Sequence, residues 1–183
     1  MTAMRSTAFL PGVCLLLAVF HVSAAEPRIT WPPGWQIEAL PTTSDPQERG
    51  LQVRQRAVKN DQAGNQIMVM ELTQTPLAVG HQVNVQGVLL EMRKAVQVNF
   101  ARSGLQSACT HVKETQLGRV AALETTCTVT QNGVHVLSQT LVAAAGTGMA
   151  WSLSYAGSAQ AYAASREEVL RIRQSLELED AAP

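Results

Sequence analysis

The stretch CTHVKETQLGRVAALETTC, residues 109–127, decides how the middle of this 183-residue chain folds. Cys109 and Cys127 are equally distant from Gly118, so a hairpin bent at Gly118 sets the two thiols directly opposite each other. Facing residues in a non-hydrogen-bonded antiparallel pair have Cα atoms about 4.5 Å apart, near the lower end of what a disulfide accepts. The odd loop requires a left-handed Gly118 or a bulge beside it. We therefore predict a Cys109–Cys127 disulfide across a hairpin.

The cysteine pair has a functional alternative, which is a redox-active dithiol. Redox pairs typically have the spacing Cys-x-x-Cys, and Cys109 and Cys127 are much further apart. Outside the reducing cytosol, an even pair of cysteines favours a structural bridge. Closing a loop of this size stabilises a fold by about 3 kcal/mol. We expect the structural bridge.

The residues around and after this hairpin are predicted to form an antiparallel meander. Its strands are expected over Leu105–Thr115, Val120–Gln131, Val134–Ala143 and Met149–Tyr155. Asn132-Gly133 is a two-residue hairpin signal, because both residue types accept a positive φ. Together with a turn at residues 145–148, this register predicts Val142 opposite both Leu123 and Trp151. One apolar face then collects Leu123, Val129, Val136, Val142, Trp151, Leu153 and Tyr155.

The N-terminal part of the domain has the patterns of three more strands. In Trp31-Pro-Pro-Gly-Trp35, a proline and Gly34 favour a type II turn, so a strand can begin at once over residues 36–40. Residues 41–50 have the polar composition of a loop. Alternating runs at residues 51–59 and 66–73 are separated by a turn-forming segment, which predicts a hairpin.

Two segments have the 3.6-residue period of an amphipathic helix. The first helix is ended by Ser103-Gly104, and its start is not marked by a strong cap. Its apolar side collects Val85, Val88, Leu89, Met92, Val96 and Phe100. The second helix has Ser158 as its expected N-cap and Glu167 four residues before Arg171. Its apolar stripe collects Tyr162, Val169, Ile172 and Leu176.

The first residues of the chain have the layout of a cleavable secretory signal. Arg5 precedes an apolar stretch over residues 8–22, which is followed by small residues and a polar start. A membrane anchor would need about 20 apolar residues, and Pro11-Gly12 interrupts this run. We expect residues 1–25 to be a cleaved signal peptide, residues 26–178 to form a single domain, and residues 179–183 to be a disordered tail.

The composition excludes several classes of protein. Hydrophobic residues make up 46% of the chain, which is too many for a disordered tail. Fourteen Lys and Arg residues balance fourteen Asp and Glu residues, and the charges are scattered singly. Nothing in this pattern favours binding to nucleic acid or to an anionic membrane surface.

The sequence carries no recognisable motif for nucleophilic or metal-dependent catalysis. There is no Gly-x-Ser-x-Gly elbow that would expose a nucleophilic serine. His81, His111 and His135 lack the i, i+4 spacing that places two imidazoles on one helix face. We therefore predict no catalytic residue, no bound metal and no cofactor.

Two smaller groups of polar residues have simple structural explanations. Asp61, Gly64 and Asn65 include too few carboxylates for a calcium loop and are typical of a turn. Glu167 and Glu168 are adjacent, so on a helix they point in different directions and cannot act together in general acid–base catalysis. We expect the first group to form an ordinary turn and the two glutamates to lie on a solvated face.

The aromatic residues are the remaining candidates for a binding surface. Trp151, Tyr155 and Tyr162 are in phase with the apolar faces of their elements, which predicts that they belong to the core. Trp31 precedes the first strand and lies among prolines, so its ring can be exposed. We name Trp31 and Trp35 as a possible contact surface.

The order of these features resembles a family of small uncharacterised proteins exported by Gram-negative bacteria, pseudomonads especially, with a PsbP-like fold. The resemblance rests on Trp31-Pro-x-Gly-Trp35, the long helix after a hairpin, the cysteine bracket around Gly118, and Trp151-Ser-Leu-Ser-Tyr155 before a closing helix. It implies an α+β fold, an α/β/α sandwich with a central antiparallel sheet of six to seven strands. It also implies a periplasmic or secreted location, and it supplies no catalytic residue.

Three hypotheses about function remain open at this point. The leading one is a periplasmic or secreted, non-catalytic module that binds an unknown envelope protein or ligand near Trp31, Trp35 and a sheet edge. It needs no nucleic acid and keeps no membrane segment after signal cleavage. The second is a small-molecule carrier with a pocket between the first helix and the sheet. The third is a hydrolase whose site is assembled from distant residues.

Overall fold

The computed structural model describes residues 27–40 and 52–178. The predictions of a signal peptide at residues 1–25, a loop at residues 41–50 and a tail at residues 179–183 lie outside these ranges. Within the described ranges the chain forms eight strands and three helices.

The strands and helices follow one another in a β-rich order. The first three strands are β1 (Trp35–Ala39), β2 (Val53–Asn60) and β3 (Gln66–Pro76), followed by helix α1 (Val85–Arg102). The remaining strands are β4 (Gln106–Cys109), β5 (Lys113–Leu117), β6 (Val120–Gln131), β7 (Val134–Ala145) and β8 (Met149–Ser158). Two short helices, α2 (Ala159–Ala164) and α3 (Arg166–Gln174), close the described part of the chain.

All strand pairs in the sheet are antiparallel, in the order β1-β2-β3-β8-β7-β6-β4, and β5 also pairs with β6. The predicted α+β class, the antiparallel sheet and the long helix after strand 3 are confirmed. The sheet has eight strands rather than six to seven, because the segment predicted as one strand at Leu105–Thr115 forms both β4 and β5. These two strands lie end to end along the outer side of β6.

The two faces of the sheet carry different helices and different cores. Helices α2 and α3 cover one face, where the larger cluster of buried side chains includes Met70, Trp151 and Ile172. Helix α1 covers part of the other face, where Leu89 packs with Leu141 and Ala143. We call these the C-terminal-helix face and the α1 face.

The β6–β7 pair differs from the predicted register beyond its turn. Asn132 and Gly133 have φ values of 50° and 79°, so the predicted turn with two positive φ values is confirmed. A bulge then shifts the pairing by one residue, and Leu123 pairs with Ala143 instead of Val142. A one-residue slip turns every following side chain to the opposite face of the sheet. The prediction that Leu123 and Val129 share a face with Trp151 is therefore wrong, because they lie on the α1 face.

The β7–β8 pair is shifted by two residues from its prediction. The turn is centred one residue later than expected, since Ala145 pairs with Ala150, and Val142 therefore lies opposite Leu153. A shift of two keeps each side chain on its face. Val142, Trp151, Leu153 and Tyr155 therefore share one face as predicted, although their partners are different.

The helices largely follow the predicted apolar patterns. Helix α1 ends before Ser103, as predicted, and begins at a cap that the sequence reading missed, because the Asn84 side chain accepts a hydrogen bond from the Gly87 amide at 2.9 Å. The predicted Ser158 cap accepts from the Ala161 amide at 3.2 Å. The single C-terminal helix that was predicted is divided at Ser165, where α2 ends and α3 begins.

Candidate binding cleft

The disulfide and a bulge beside it set the positions of the β5 residues that line the cleft. Cys109 pairs directly with Cys127, and their Cα atoms are 3.9 Å apart. Three residues, 110–112, then lie opposite only two, Thr125 and Thr126, before Lys113 pairs with Glu124. The extra residue reverses the side-chain alternation, as bulges do. Cys109 therefore faces α1, whereas Lys113 lies on the C-terminal-helix face.

The turn at Gly118 joins this hairpin to the end of α3. Gly118 has a φ of 57°, the left-handed conformation named as one of two alternatives, but the predicted odd loop is wrong, because Gly118 and Arg119 form a two-residue connection between Leu117 and Val120. Its amide donates to the Arg173 carbonyl at 3.2 Å. A Cβ on Gly118 would lie 2.4 Å from the Leu176 carbonyl oxygen. The glycine thus serves both the turn and the close approach of the C-terminal segment.

An open cleft of about 580 Å³ lies between the sheet and α2–α3. Strands β5, β6 and β8 form its floor, and the two C-terminal helices form its other wall. Its lining residues are Lys113, Thr115, Glu124, Thr126, Tyr155, Tyr162, Ala163, Arg166, Val169, Leu170 and Arg173. A volume in this range is typical of sites for small organic ligands.

A buried ion-pair network forms one end of the cleft. The Arg173 guanidinium donates to Glu124 Oε2 at 2.8 Å, and both side chains are only 9% exposed. Arg173 also donates to Thr115 Oγ1 at 2.8 Å and to the Gln116 carbonyl at 3.0 Å. Lys113 Nζ lies 3.0 Å from the second Glu124 oxygen. The carboxylate is thus neutralised from both sides.

The network determines the charge state of Glu124. Burial by itself raises the pKa of this carboxyl, but the hydrogen bond from Lys113 and the charge of Arg173 outweigh burial and hold the pKa below its usual value. Glu124 is therefore ionised at neutral pH and cannot serve as a proton donor there.

Two tyrosines and two threonines form the neighbouring wall. The rings of Tyr155 and Tyr162 stack with centroids 5.8 Å apart and planes inclined by 13°. The Tyr162 hydroxyl is hydrogen-bonded to Thr140, whose Oγ1 lies 2.7 Å from Thr126 Oγ1. Burial raises the pKa of Tyr162 to about 12, with a smaller contribution from Tyr155. The phenol therefore stays protonated at neutral pH.

The cleft carries more positive than negative charge. Among the described residues that line it, Lys113, Arg166 and Arg173 are cationic and only Glu124 is anionic. Lys113 is 66% exposed at its side chain, and Arg166 is exposed at the first position of α3. Arg166 has no ion-pair partner within residues 27–40 and 52–178. Arg166 is therefore free to contact a solute, and Lys113 can do so with the donors that Glu124 does not occupy.

The predicted contact residues lie elsewhere, near the start of the described chain. Trp35 is 8% exposed and belongs to the larger core cluster, so its ring offers little accessible surface. Trp31 is half-buried against that cluster, with its ring centroid 5.6 Å from that of Trp35. Trp151 and Tyr155 are buried, as expected, and Tyr162 is partly buried beside the cleft.

The three histidines are placed on separate segments. His81 is exposed before α1, His111 lies in the bulge between β4 and β5, and His135 is the second residue of β7. His135 Nε2 lies 2.9 Å from Ser138 Oγ and 3.1 Å from the Leu137 carbonyl. In the described ranges no three His, Cys, Asp or Glu side chains are grouped as a metal site would require.

The two polar groups explained as structural have structural contacts. Asp61 accepts hydrogen bonds from the Asn65 side chain and from the Asn65 and Ala63 amides, which lower the pKa of its carboxyl. Glu168 is ion-paired with Lys59 on β2, so it is not simply solvated, whereas Glu167 is exposed. The Lys59–Glu168 ion pair connects α3 to β2, which lies near the β1 edge of the sheet.

A smaller cavity occupies the place where the carrier hypothesis put its pocket. It measures about 220 Å³ and lies between α1 and the sheet, bordered by Val85, Val88, Met92 and Ala143. The larger cleft is on the opposite face, between the sheet and the C-terminal helices. Sequence reasoning missed that cleft because its residues come from β5, β6, β8, α2 and α3.

One sequence signal indicated a change of face near the cleft without locating it. The pairing of Cys109 with Cys127 requires an odd loop around Gly118, or else a bulge within the hairpin. Placing the bulge at residues 110–112 brings Lys113 and Thr115 onto the face that α3 covers. Nothing in the local sequence gives that place.

The fold is similar to several solved structures of low sequence identity. Cyanobacterial PsbP (CyanoP) from Synechocystis sp. PCC 6803 matches with a TM-score of 0.55 at 11% identity, covering 90% of this chain and 99% of that one. LpqN, involved in cell envelope biogenesis of Mycobacterium tuberculosis, matches with a TM-score of 0.51 at 15% identity, covering 82% and 81%. A structure from Bacteroides thetaiotaomicron VPI-5482 matches with a TM-score of 0.51 at 9% identity over 84% of this chain, which spans 45% of that one. The fold is PsbP-like.

A family model assigns the chain to a protein family. No curated protein matches the chain. Through residues 27–40 and 52–178, no helix is both long enough and apolar enough to cross a bilayer. The family model described as a domain of unknown function (DUF4946) matches residues 26–178, and the chain therefore belongs to the DUF4946 family.

Proposed function

We propose that this protein is a non-catalytic binding module of the bacterial cell envelope, and that its ligand site is the cleft between the sheet and α2–α3. The observation that carries the proposal is the cleft itself, about 580 Å³ with converging charged, hydroxyl and apolar side chains. Convergent polar groups in a pocket of this size are the usual sign of a small-molecule site.

The protonation states of the cleft favour binding over catalysis. General acid–base catalysis works best with a group whose pKa is near the operating pH. The pKa of Glu124 is held below its usual value and that of Tyr162 is raised to about 12, so both are far from neutrality. The Arg173 guanidinium holds Glu124, Thr115 and Gln116 in place. These groups form a fixed wall that can recognise a ligand without reacting.

A fragment screen by NMR of ¹⁵N-labelled protein tests the location of the site. We expect fragments to shift the amides of cleft residues in the wild type. Ala163→Trp fills the cleft from α2 and should abolish these shifts, whereas Ala164→Trp, the next exposed residue on the same helix, lies outside it and should not. Melting temperatures of both variants check folding. Fragment shifts that map elsewhere, or that persist in Ala163→Trp, would refute the assignment.

The envelope location rests on the leader pattern and on the disulfide. Residues 1–25 have the charge, apolar run and small residues of a cleavable signal, and Cys109–Cys127 suits an oxidising compartment. The fold likeness to LpqN, which is involved in cell envelope biogenesis, agrees with this location. N-terminal sequencing of protein from a periplasmic fraction should begin near Glu26. Uncleaved protein in the cytosol would contradict export and processing.

A second binding surface at Trp31 is favoured by one observation. Trp31 is half-buried beside β1, the outermost described strand on its side of the sheet. Aromatic side chains with one exposed side are common in protein contacts. Crosslinked partners from periplasmic extract should be lost in Trp31→Ala and kept in Ala163→Trp. Identical partner sets for the wild type and Trp31→Ala would rule out this surface.

A further inference from the structure

The cleft has charge on one side and apolar surface on the other. Lys113 is exposed at the β5 end and Arg166 at the start of α3, while Leu170 is 51% exposed and lies on the same helix. Val169 and Ala163 continue the apolar lining beside the stacked Tyr155 and Tyr162 rings. This inference rests on the proposed function and names the class of ligand for the same site.

We propose that the cleft binds a small organic anion, with an anionic head group held by Lys113 and Arg166 and an apolar part packed on Leu170 and the tyrosine rings. The lining side chains sum to a net charge of +2, because three cations face one carboxylate. An anion therefore gains attraction on entry, and a cation meets repulsion.

The hydrogen-bonding capacity of the two exposed cations remains available. The Lys113 ammonium group carries three donors, and one of them is directed at Glu124 Oε1, which lies 3.0 Å from Nζ. Arg166 carries five donors in a planar fork that matches phosphate or carboxylate oxygens. Arg173 contributes less directly, since its Nη atoms already bind Glu124, Thr115 and Gln116, but its Nε has no hydrogen-bond partner among the described residues.

The apolar side makes the ligand organic rather than inorganic. A free inorganic ion would leave the Leu170 side chain and the accessible part of the Tyr162 ring in water. Removing apolar area from water is favourable, so a ligand with a ring or short chain binds more tightly than its head group alone. One Glu124 carboxylate oxygen is paired with Lys113 and the other with Arg173. The cleft lining therefore offers a cationic ligand no unpaired carboxylate.

Titrations with five probes test this assignment in mature protein at low salt. Phenyl phosphate and benzoate present the two head groups on one ring, phenol presents the ring without a charge, phenyltrimethylammonium presents the opposite charge, and inorganic phosphate has no ring. We expect phenyl phosphate or benzoate to bind at least about tenfold more tightly than phenol, phenyltrimethylammonium or inorganic phosphate, with NMR shifts at the cleft. Binding should weaken as salt is raised, because exposed charges are screened.

Arg166→Gln has a matched control on the same helix. Arg171 is exposed on α3 and lies outside the cleft lining. We expect Arg166→Gln to weaken binding of the better aromatic anion about tenfold, whereas Arg171→Gln changes it less than about twofold. Lys113→Gln should also weaken binding, with Lys94→Gln on α1 as its control. Neither arginine variant touches the ion-pair network, so both should keep the wild-type melting temperature.

The outcomes separate this inference from the proposed function. If phenol or phenyltrimethylammonium binds at the cleft as tightly as the two anions, the ligand class is wrong and the binding site stands. If the anions bind but Arg166→Gln and Arg171→Gln have equal effects, the assigned cation is wrong and the inference fails. If no probe binds, the inference fails, and the fragment screen with Ala163→Trp decides separately whether the cleft is a site.

Discussion

The two faces of the sheet are built on different principles. On the α1 face, Leu89 packs with Leu141 and Ala143, and the disulfide links β4 to β6. On the C-terminal-helix face, a larger apolar cluster around Leu153 is bordered by the buried Glu124–Arg173 pair. One face combines a small core with a covalent link, and the other combines a large core with a charged network.

The difference shows where a binding site can form. Apolar helix packing excludes water and leaves few polar groups, which is what α1 does over Leu141 and Ala143. Helices α2 and α3 are short and separated at Ser165, so they cover their face incompletely. The gap they leave exposes polar residues of β5 and β6, and it becomes the cleft.

Truncating one leucine on each face gives the largest expected effect. Leu153→Ala should lower the free energy of unfolding by about 4 kcal/mol, because Leu153 lies on a central strand that cannot move into the cavity. Leu89→Ala should cost about 2.5 kcal/mol, since α1 packs on a smaller cluster and can shift. Urea unfolding measures both. Equal losses would show that the two cores are equally constrained.

Breaking the charged network should be the next largest effect. Arg173→Met leaves Glu124 buried with only Lys113 and should cost about 3 kcal/mol. The double variant Glu124→Leu/Arg173→Met should recover most of that loss, because no buried charge remains. Lys94→Met removes an exposed α1 pair, whose side chains are over 70% exposed, and should cost less than about 0.5 kcal/mol. A similar cost for Arg173→Met and Lys94→Met would contradict the buried role.

Reducing the disulfide tests the link on the α1 face. Thiol titration of denatured, unreduced mature protein should find no free thiol, and reduction should lower the free energy of unfolding by about 3 kcal/mol. The Cys109→Ser/Cys127→Ser variant should match the reduced wild type and be unaffected by reductant. Two free thiols in protein from the periplasm would overturn this prediction.

Substituting two turn glycines separates the stability cost of a tertiary clash from the cost of the turn conformation alone. Gly133→Ala places a side chain in open space at a φ of 79° and should cost about 1 kcal/mol. Gly118→Ala adds a contact of 2.4 Å with the Leu176 carbonyl oxygen and should cost about 2 kcal/mol. Thermal unfolding of both variants measures the difference. A Gly133 variant that is less stable than the Gly118 variant would contradict the docking of α3 on this turn.

The smallest expected effect is the pH dependence that Glu124 supplies. Its pKa is lowered in the folded protein, so its contribution to stability is present above the unfolded pKa near 4.5 and is lost as pH falls through the folded pKa. The advantage of the wild type over Glu124→Gln should therefore shrink between about pH 6 and about pH 3. Urea unfolding across this range measures it. A gap that widens on acidification would reverse the assigned sign.

Local sequence signals predicted the elements well and their register poorly. Asn132-Gly133 predicted its turn, and Ser158 predicted its cap, because each residue acts on its own neighbours. The Leu123–Val142 pairing was wrong because a bulge beyond the turn shifts β6 against β7 by one residue. Trp35 was proposed as a contact residue and is buried, because the covering side chains come from distant segments.

The sequence alone determined the antiparallel sheet, the long first helix and the partner of each domain cysteine, since periodicity, turn residues and spacing act over short stretches. The tertiary structure alone decided which face Lys113 takes and that Glu124 and Arg173, 49 residues apart, form a buried pair. The physical reason is the two-residue alternation of a strand: one extra residue at 110–112 turns the following side chains to the other face. The position of that residue depends on packing that no local pattern records.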